Sequence, residues 1–135
     1  MTTILVGTDT SAAADLAVED AARLARERGA ELLVLYVKPE GDIRAVVDPD
    51  RAADPRAHLQ RLAARFPGTS VTTRIEDGDA ATRICDVAAE VRADTIVLGN
   101  RGTQGSRWHV RESVPNLVLR HAPCSVYIVD TRKAQ

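Results

Sequence analysis

Thr95-Ile96-Val97-Leu98-Gly99-Asn100-Arg101-Gly102-Thr103-Gln104-Gly105-Ser106 is the stretch on which the fold turns. A short apolar run bounded by turn residues reads as a buried strand, and this one empties into a loop carrying Gly99, Gly102 and Gly105. Glycine admits positive φ and leaves no side chain between backbone N–H groups and a ligand. A strand that feeds such a loop and then a helix can cradle phosphate. Arg101, Arg107 and Arg111 lie in or just after the loop, and no acid occurs from Gly99 to Arg111. Taken alone, the segment leaves two readings open: an anion site, or a strand-to-helix turn whose glycines serve geometry only.

The flanking sequence supplies the rest of the architecture. Ile4 to Gly7 is a short apolar run ending at Thr8-Asp9-Thr10-Ser11, and Ser11 is placed to cap a helix. Ala17, Ala21, Leu24 and Ala25 recur at helical spacing, and Gly29 sits where a left-handed residue ends that helix. Leu32 to Val37 is apolar throughout, as in a strand buried on both faces of a parallel sheet. Residues 38 to 54 carry Pro39, Gly41 and Pro49 among five acids; they read as a mobile connector with a short helical piece around Ile43 to Val47. Asp54-Pro55 opens a second helix, with Leu59, Leu62, Ala63 and Phe66 facing inward and Pro67-Gly68 as its stop.

Val71 to Ile75 is a weaker strand, expected at a sheet edge. Gly78-Asp79 leads into a third helix with Ile84, Val87, Ala88 and Val91 inside. A fourth is expected over 110–121, with Val114, Leu117, Val118 and His121 on one face, although Pro115 is tolerable only in its first turn. Ser125 to Val129 makes the last strand. The alternation predicts one α/β domain over residues 1–135, a three-layer sandwich with a five-stranded, mostly parallel sheet and helices on both faces. Ligands of such sheets bind at the carboxyl ends of the strands, where strand order reverses.

Composition narrows the function. A chain of 135 residues with a formal charge of −1 and 3% aromatics is a poor general binder of nucleic acid or anionic membrane. No apolar run is long enough to cross a bilayer, and Met1-Thr2-Thr3 does not begin a leader, so a cytoplasmic protein is expected. Cys85 and Cys124 lack metal-ligand spacing and read as small core hydrophobes. His58, His109 and His121 are scattered, and HExxH, G-x-S-x-G and paired-carboxylate patterns are absent from the sequence.

Several pieces, in order, resemble the universal stress protein family. Ile4-Leu5-Val6-Gly7-Thr8-Asp9-Thr10-Ser11 is similar to its opening "ILVxxDxS". Glu76-Asp77-Gly78-Asp79-Ala80, followed by Ile84 and Ala88, is similar to its third-helix start. Ala93-Asp94-Thr95-Ile96-Val97-Leu98-Gly99 resembles "aDxIVxG", and the run His121 to Val129 resembles "HAPCPVxxV", with Ser125 for the second proline. The resemblance runs nearly end to end. It implies a Rossmann-like fold and homodimers that pair through the last strand, with Val126 and Ile128 at the seam.

The family's nucleotide-binding branch carries G-x-x-G, nine residues, then G-[S/T]; here Gly99 and Gly102 match, and the closing pair is Glu112-Ser113. The resemblance implies that Asp9 accepts hydrogen bonds from adenine or ribose, that Val37 offers backbone groups to the adenine edge, and that Gly99, Arg101, Gly102, Gly105 and Ser113 surround phosphate. Each position has a plainer role. Asp9 could buttress the first helix with Ser11, Ser113 could cap the fourth, and Arg107 and Arg111 could be solvated surface charge. A carboxylate at position 112 about 4–5 Å from a phosphate costs roughly 1–4 kcal/mol; arginines offset this, and Mg²⁺ bridging Glu112 to phosphate would reverse its sign.

Two functions are therefore expected to compete. One is a small regulator that binds ATP or AMP, with or without Mg²⁺, and signals to unknown protein partners. The other is a dimeric interaction module of the same fold that has lost the nucleotide, which Glu112 and Trp108-His109-Val110 favour. An enzyme lacks an oriented base or a GKS/T lysine, so any ATP hydrolysis would be slow and incidental. A phosphoacceptor receiver built on Asp9, Asp77 and Lys133 lacks the paired acids it needs.

Overall fold

The computed structural model describes residues 2–39, 52–100 and 113–131. The first strand, β1 (Thr3–Thr8), leads into helix α1 (Ala12–Arg28). Ser11 is its N-cap, with Oγ accepting from the Ala14 N–H at 3.1 Å. Small residues (Ala14, Ala17, Ala21, Ala22, Ala25) form its buried stripe with Val18, so the helix seats close on the sheet. Gly29 closes it at φ 65°, returning its N–H to the last-turn carbonyls.

Strand β2 (Glu31–Lys38) buries Leu32 to Val37 without interruption. Asp54 caps α2 (Pro55–Ala64) through the Ala57 N–H, with Pro55 in the first turn. That helix stops before Phe66, earlier than a Pro67-Gly68 stop implies. The residue preceding a proline is driven out of the α region, and the Arg65 N–H bonds the Leu62 carbonyl in a tightened last turn. Ala63 is only half-buried, and Phe66 packs on the core from beyond the helix. At the two ends of the expected connector, Lys38 closes β2 and Asp54 caps α2. The connector's centre, with the expected helical piece around Ile43 to Val47, lies outside the described residues.

Strand β3 (Val71–Asp77) is followed by α3 (Ala80–Val91), capped by Asp79, and by β4 (Thr95–Gly99). Helix α4 (Val114–His121) begins at Ser113, with Pro115 in its first turn as the proline requires; residues 110–112 lie outside the described set. His121 is exposed rather than on the inner face. It stands in the last turn with Arg120, where basic groups offset the helix dipole. Strand β5 (Ser125–Val129) ends the sheet.

All five strands are parallel, in the order β3-β2-β1-β4-β5. The expected weak strand is indeed an edge. Strand addition reverses direction after β3, and with crossovers of one hand the helices must then change face. The core shows this. Ile4, Val6, Val34 and Val97 pack under α1 and α2, whereas Leu5, Leu35, Ile96 and Leu98 pack under α3 and α4. The reversal leaves a crevice at the carboxyl ends of β1 and β4.

Candidate functional site

Asp9, Thr10 and Ser11 turn the chain out of β1 into α1. Asp9 Oδ1 accepts from the Ser11 N–H at 2.9 Å, and the Thr10 N–H donates to Thr8 Oγ1 at 3.0 Å. Thr10 is buried at φ 71°, a left-handed conformation that costs a β-branched residue about 1–3 kcal/mol. Its Oγ1 accepts from the Ala52 N–H at 3.0 Å. His58 Nε2 meets Asp15 Oδ1 at 2.9 Å. Together these bonds pin the start of α2 to the first turn of α1, beside Asp9.

Three residues stand at the carboxyl ends of adjacent strands. Thr8 pairs with Tyr36, so Val37 stands level with Asp9. On the other side Val6 and Val97 are the last β1–β4 partners, and Asn100 directly follows the end of β4. Val37 is buried and paired in register with Glu76 of β3. The crevice thus has a carboxylate in the middle, strand backbone on one flank and a carboxamide on the other.

The carboxamide flank is built by the chain beyond β5. Asn100 Oδ1 accepts from the Thr131 N–H at 3.1 Å and from the Thr131 hydroxyl at 3.3 Å, while the Asn100 N–H donates to the Val129 carbonyl at 3.0 Å. Thr131 is fully buried. A Cβ on Gly99 would come within 2.9 Å of Thr131 Cγ2, a distance that real Cβ atoms do not tolerate, so the glycine lets the Thr131 side chain pack against the end of β4. Close packing therefore accounts for Gly99 by itself. Ser113 Oγ accepts from the Asn116 N–H at 3.3 Å, the capping role, and its hydroxyl hydrogen remains to donate. Arg101, Gly102, Gly105, Arg107, Trp108, His109, Arg111 and Glu112 lie outside the described residues, as does Lys133.

Asn100, Thr131 and Thr10 carry no sequence signal of their own. Asn100 follows a glycine at a strand end, but its partner becomes visible only once β4 and β5 are paired.

Elsewhere, burial pushes the Cys85 and Cys124 thiols up from their ordinary value, with Asp86 and Asp94 respectively adding to the effect. Both are half-buried against the α3–α4 side of the core, as filler hydrophobes would be. Among the described residues, two grooves of about 160 and 280 Å³ lie away from the crevice. The first runs between Arg56 and Arg74, and the second between Arg26 and Phe66 near the amino ends of the strands. No group of three or more potential metal ligands occurs among the described residues, and no described helix is long and apolar enough to cross a membrane.

Comparison with known proteins places the chain among relatives of one kind. The family model described as universal stress protein family matches residues 1–130. Universal stress protein Sll1654 of Synechocystis sp. is 33% identical over 132 residues, covering 94% of this chain and 84% of the relative. A crystal structure of a universal stress protein in complex with cAMP superposes with TM-score 0.78 at 29% identity, over 96% of this chain and 97% of that one. The universal stress protein UspA from Lactobacillus plantarum gives TM-score 0.76 at 30% identity, over 95% and 97%.

Proposed function

The chain belongs to the universal stress protein family, and from that premise we propose that it is a small cytoplasmic regulator. In this reading it binds an adenine nucleotide, ATP or AMP, in the crevice between β1 and β4. The observation that supports the reading is that Asp9, Val37 and Asn100 stand at the carboxyl ends of three adjacent parallel strands, β1, β2 and β4, where the sheet reverses direction. An acceptor carboxylate and donor groups around one crevice match a nucleoside hydroxyl or amine next to phosphate oxygens. The similar protein crystallised with cAMP supports the same ligand class. Of the residues implied by resemblance, Asp9 and Val37 hold the nucleoside, and Ser113 with the loop from Gly99 serves the phosphates. Mg²⁺ accompanies the triphosphate.

The dimer is part of this proposal. Strand β5 is an outer strand, and Tyr127 is exposed, so a second copy can pair along it through the Val126–Ile128 segment. The competing reading, a dimeric interaction module without nucleotide, draws on a specific observation: Gly99 is fully accounted for by its contact with Thr131.

Amide chemical-shift mapping with MgATP tests the proposal. The expected perturbations centre on Asp9, Thr10, Val37 and Asn100. Perturbations centred on the Arg26–Phe66 groove, or none at millimolar nucleotide, would contradict it.

A further inference from the structure

At the amino end of the sheet, the second half of α1 faces the turn between α2 and β3 across a groove of about 280 Å³. Glu19, Ala22, Arg23 and Arg26 recur at helical spacing and form one wall, and Arg65, Phe66 and Thr69 stand on the other. Three guanidiniums thus share one groove whose only lining carboxylate among the described residues is Glu19, on a chain with a formal charge of −1. Two of the three are held in place. Arg65 donates to Glu19 Oε2 at 2.6 Å, its guanidinium carbon 5.6 Å from the centre of the Phe66 ring, and Arg23 donates to Asp20 Oδ1 at 3.0 Å. A guanidinium carries five N–H donors, so these single bonds leave most of them facing solvent. The Arg26 side chain has no hydrogen bond or ion pair among the described residues, whereas Arg28 nearby reaches Asp94.

We propose that this groove docks an acidic, extended segment of a partner protein, whose carboxylates pair with Arg23, Arg26 and Arg65. Charge sets the chemistry of the occupant. A cluster of like charges draws a counter-charge, and the planar guanidinium matches a carboxylate in a two-bond fork. Length sets its form. Glu19 to Arg26 spans about 10 Å of helix at 1.5 Å per residue, and side chains on one face of an extended chain repeat about every 7 Å. Two acidic residues at alternate positions therefore fit along the wall. Ser70, in the same turn as Thr69, accepts from the Leu32 N–H at 2.8 Å where β2 begins, which puts the groove at the opposite end of the sheet from the β1–β4 crevice. Docking there does not depend on a nucleotide.

The test is fluorescence polarisation on the full chain, with a labelled peptide in which glutamate alternates with serine. Saturable binding is expected, and Arg26→Glu should weaken it at least about tenfold, the scale of one bond between charged groups. Arg26→Gln should weaken it in the same direction by a smaller factor, with the urea midpoint unchanged, since the residue 26 carbonyl still accepts from the Gly29 N–H. Arg56→Glu, which reverses a charge in the other groove, should change affinity less than about twofold. Affinity should also fall at least about threefold as salt rises from about 0.1 to 1 M and the screening length drops from about 10 to 3 Å. No saturable binding, equal losses in Arg26→Glu and Arg56→Glu, or equal binding of the peptide with glutamine for glutamate would overturn the site. Tighter binding of a short oligothymidylate would give the groove to a phosphate backbone, and a dimer lost in Arg26→Glu would give it to a second copy; either result overturns the acidic-partner assignment.

Discussion

Gly99 and Thr131 form a pair whose coupling is measurable. Gly99→Ala places a methyl 2.9 Å from Thr131 Cγ2, and overpacking of a closed site costs about 1–3 kcal/mol. Thr131→Ser removes that methyl and keeps the hydroxyl that donates to Asn100. A urea double-mutant cycle should therefore show the Gly99→Ala penalty largely relieved in the Thr131→Ser background; additive effects would contradict the contact. That a glycine was needed at position 99 is legible in the sequence, as is Asp9 at the end of a strand. The reason for Gly99 is not, because Thr131 reaches it only through the pairing of β4 with β5. The left-handed Thr10 is hidden for a similar cause. Nothing local favours that conformation for a β-branched residue, and the Ala52 N–H that helps hold it comes from beyond the connector.

Among the elements, caps and periodicity made most boundaries readable. Ser11, Asp54, Asp79 and Ser113 each accept from the N–H three residues on, and each is a residue type that prefers that place. Where the structure differs, the cause is local: Pro67 acting back on Phe66 ends α2 early, and His121, though it ends α4 as expected, is exposed in the basic last turn. The two left-handed helix ends give contrasting expectations. Gly29→Ala, at φ 65°, should lower stability by about 1 kcal/mol in urea unfolding. Arg92→Gly, at φ 55° on the end of α3, should leave it unchanged or raise it. A loss at Arg92 as large as that at Gly29 would show that φ is not the controlling term.

The β3 edge makes a prediction in pH. Arg74 donates to Glu76 at 2.7 Å and to both Glu90 oxygens at 2.8 and 3.0 Å, and Arg83 adds a bond to Glu76. Arg74 foremost, with Arg83 assisting at Glu76, holds both carboxyls below their ordinary value of 4.5. A group with a depressed folded pKa contributes stability above its unfolded pKa and loses it as pH falls through the folded one. The urea midpoint should accordingly drop as pH falls from about 5.5 towards 3, and less steeply in Arg74→Met. Parallel pH profiles for the two proteins would remove the edge network from the account.

At the scale of the whole molecule, the uninterrupted apolar run of β2 and the β-α alternation determine a doubly covered parallel sheet, and both were plain in the sequence. Strand order is less legible, since alternation alone does not say on which side of β1 the fourth strand adds. That order creates the crevice and leaves β5 as an outer strand. Val126 and Ile128 are half-buried against the core of their own protomer, so charging either one disturbs the fold as well as any seam. Tyr127, 42% exposed, is the cleaner probe: Tyr127→Glu should shift sedimentation from dimer to monomer with the fold intact, and a persisting dimer would place the interface elsewhere. The central claim is nucleotide binding at the β1–β4 crevice, and calorimetric titration of nucleotide-stripped protein with MgATP, beside Asp9→Asn, tests it most directly. Asparagine can still accept the Ser11 N–H, so the turn survives while the charge is lost. The account predicts micromolar binding by the natural protein and at least about tenfold weaker binding by Asp9→Asn. No heat of binding, or equal affinity in the two proteins, would contradict it.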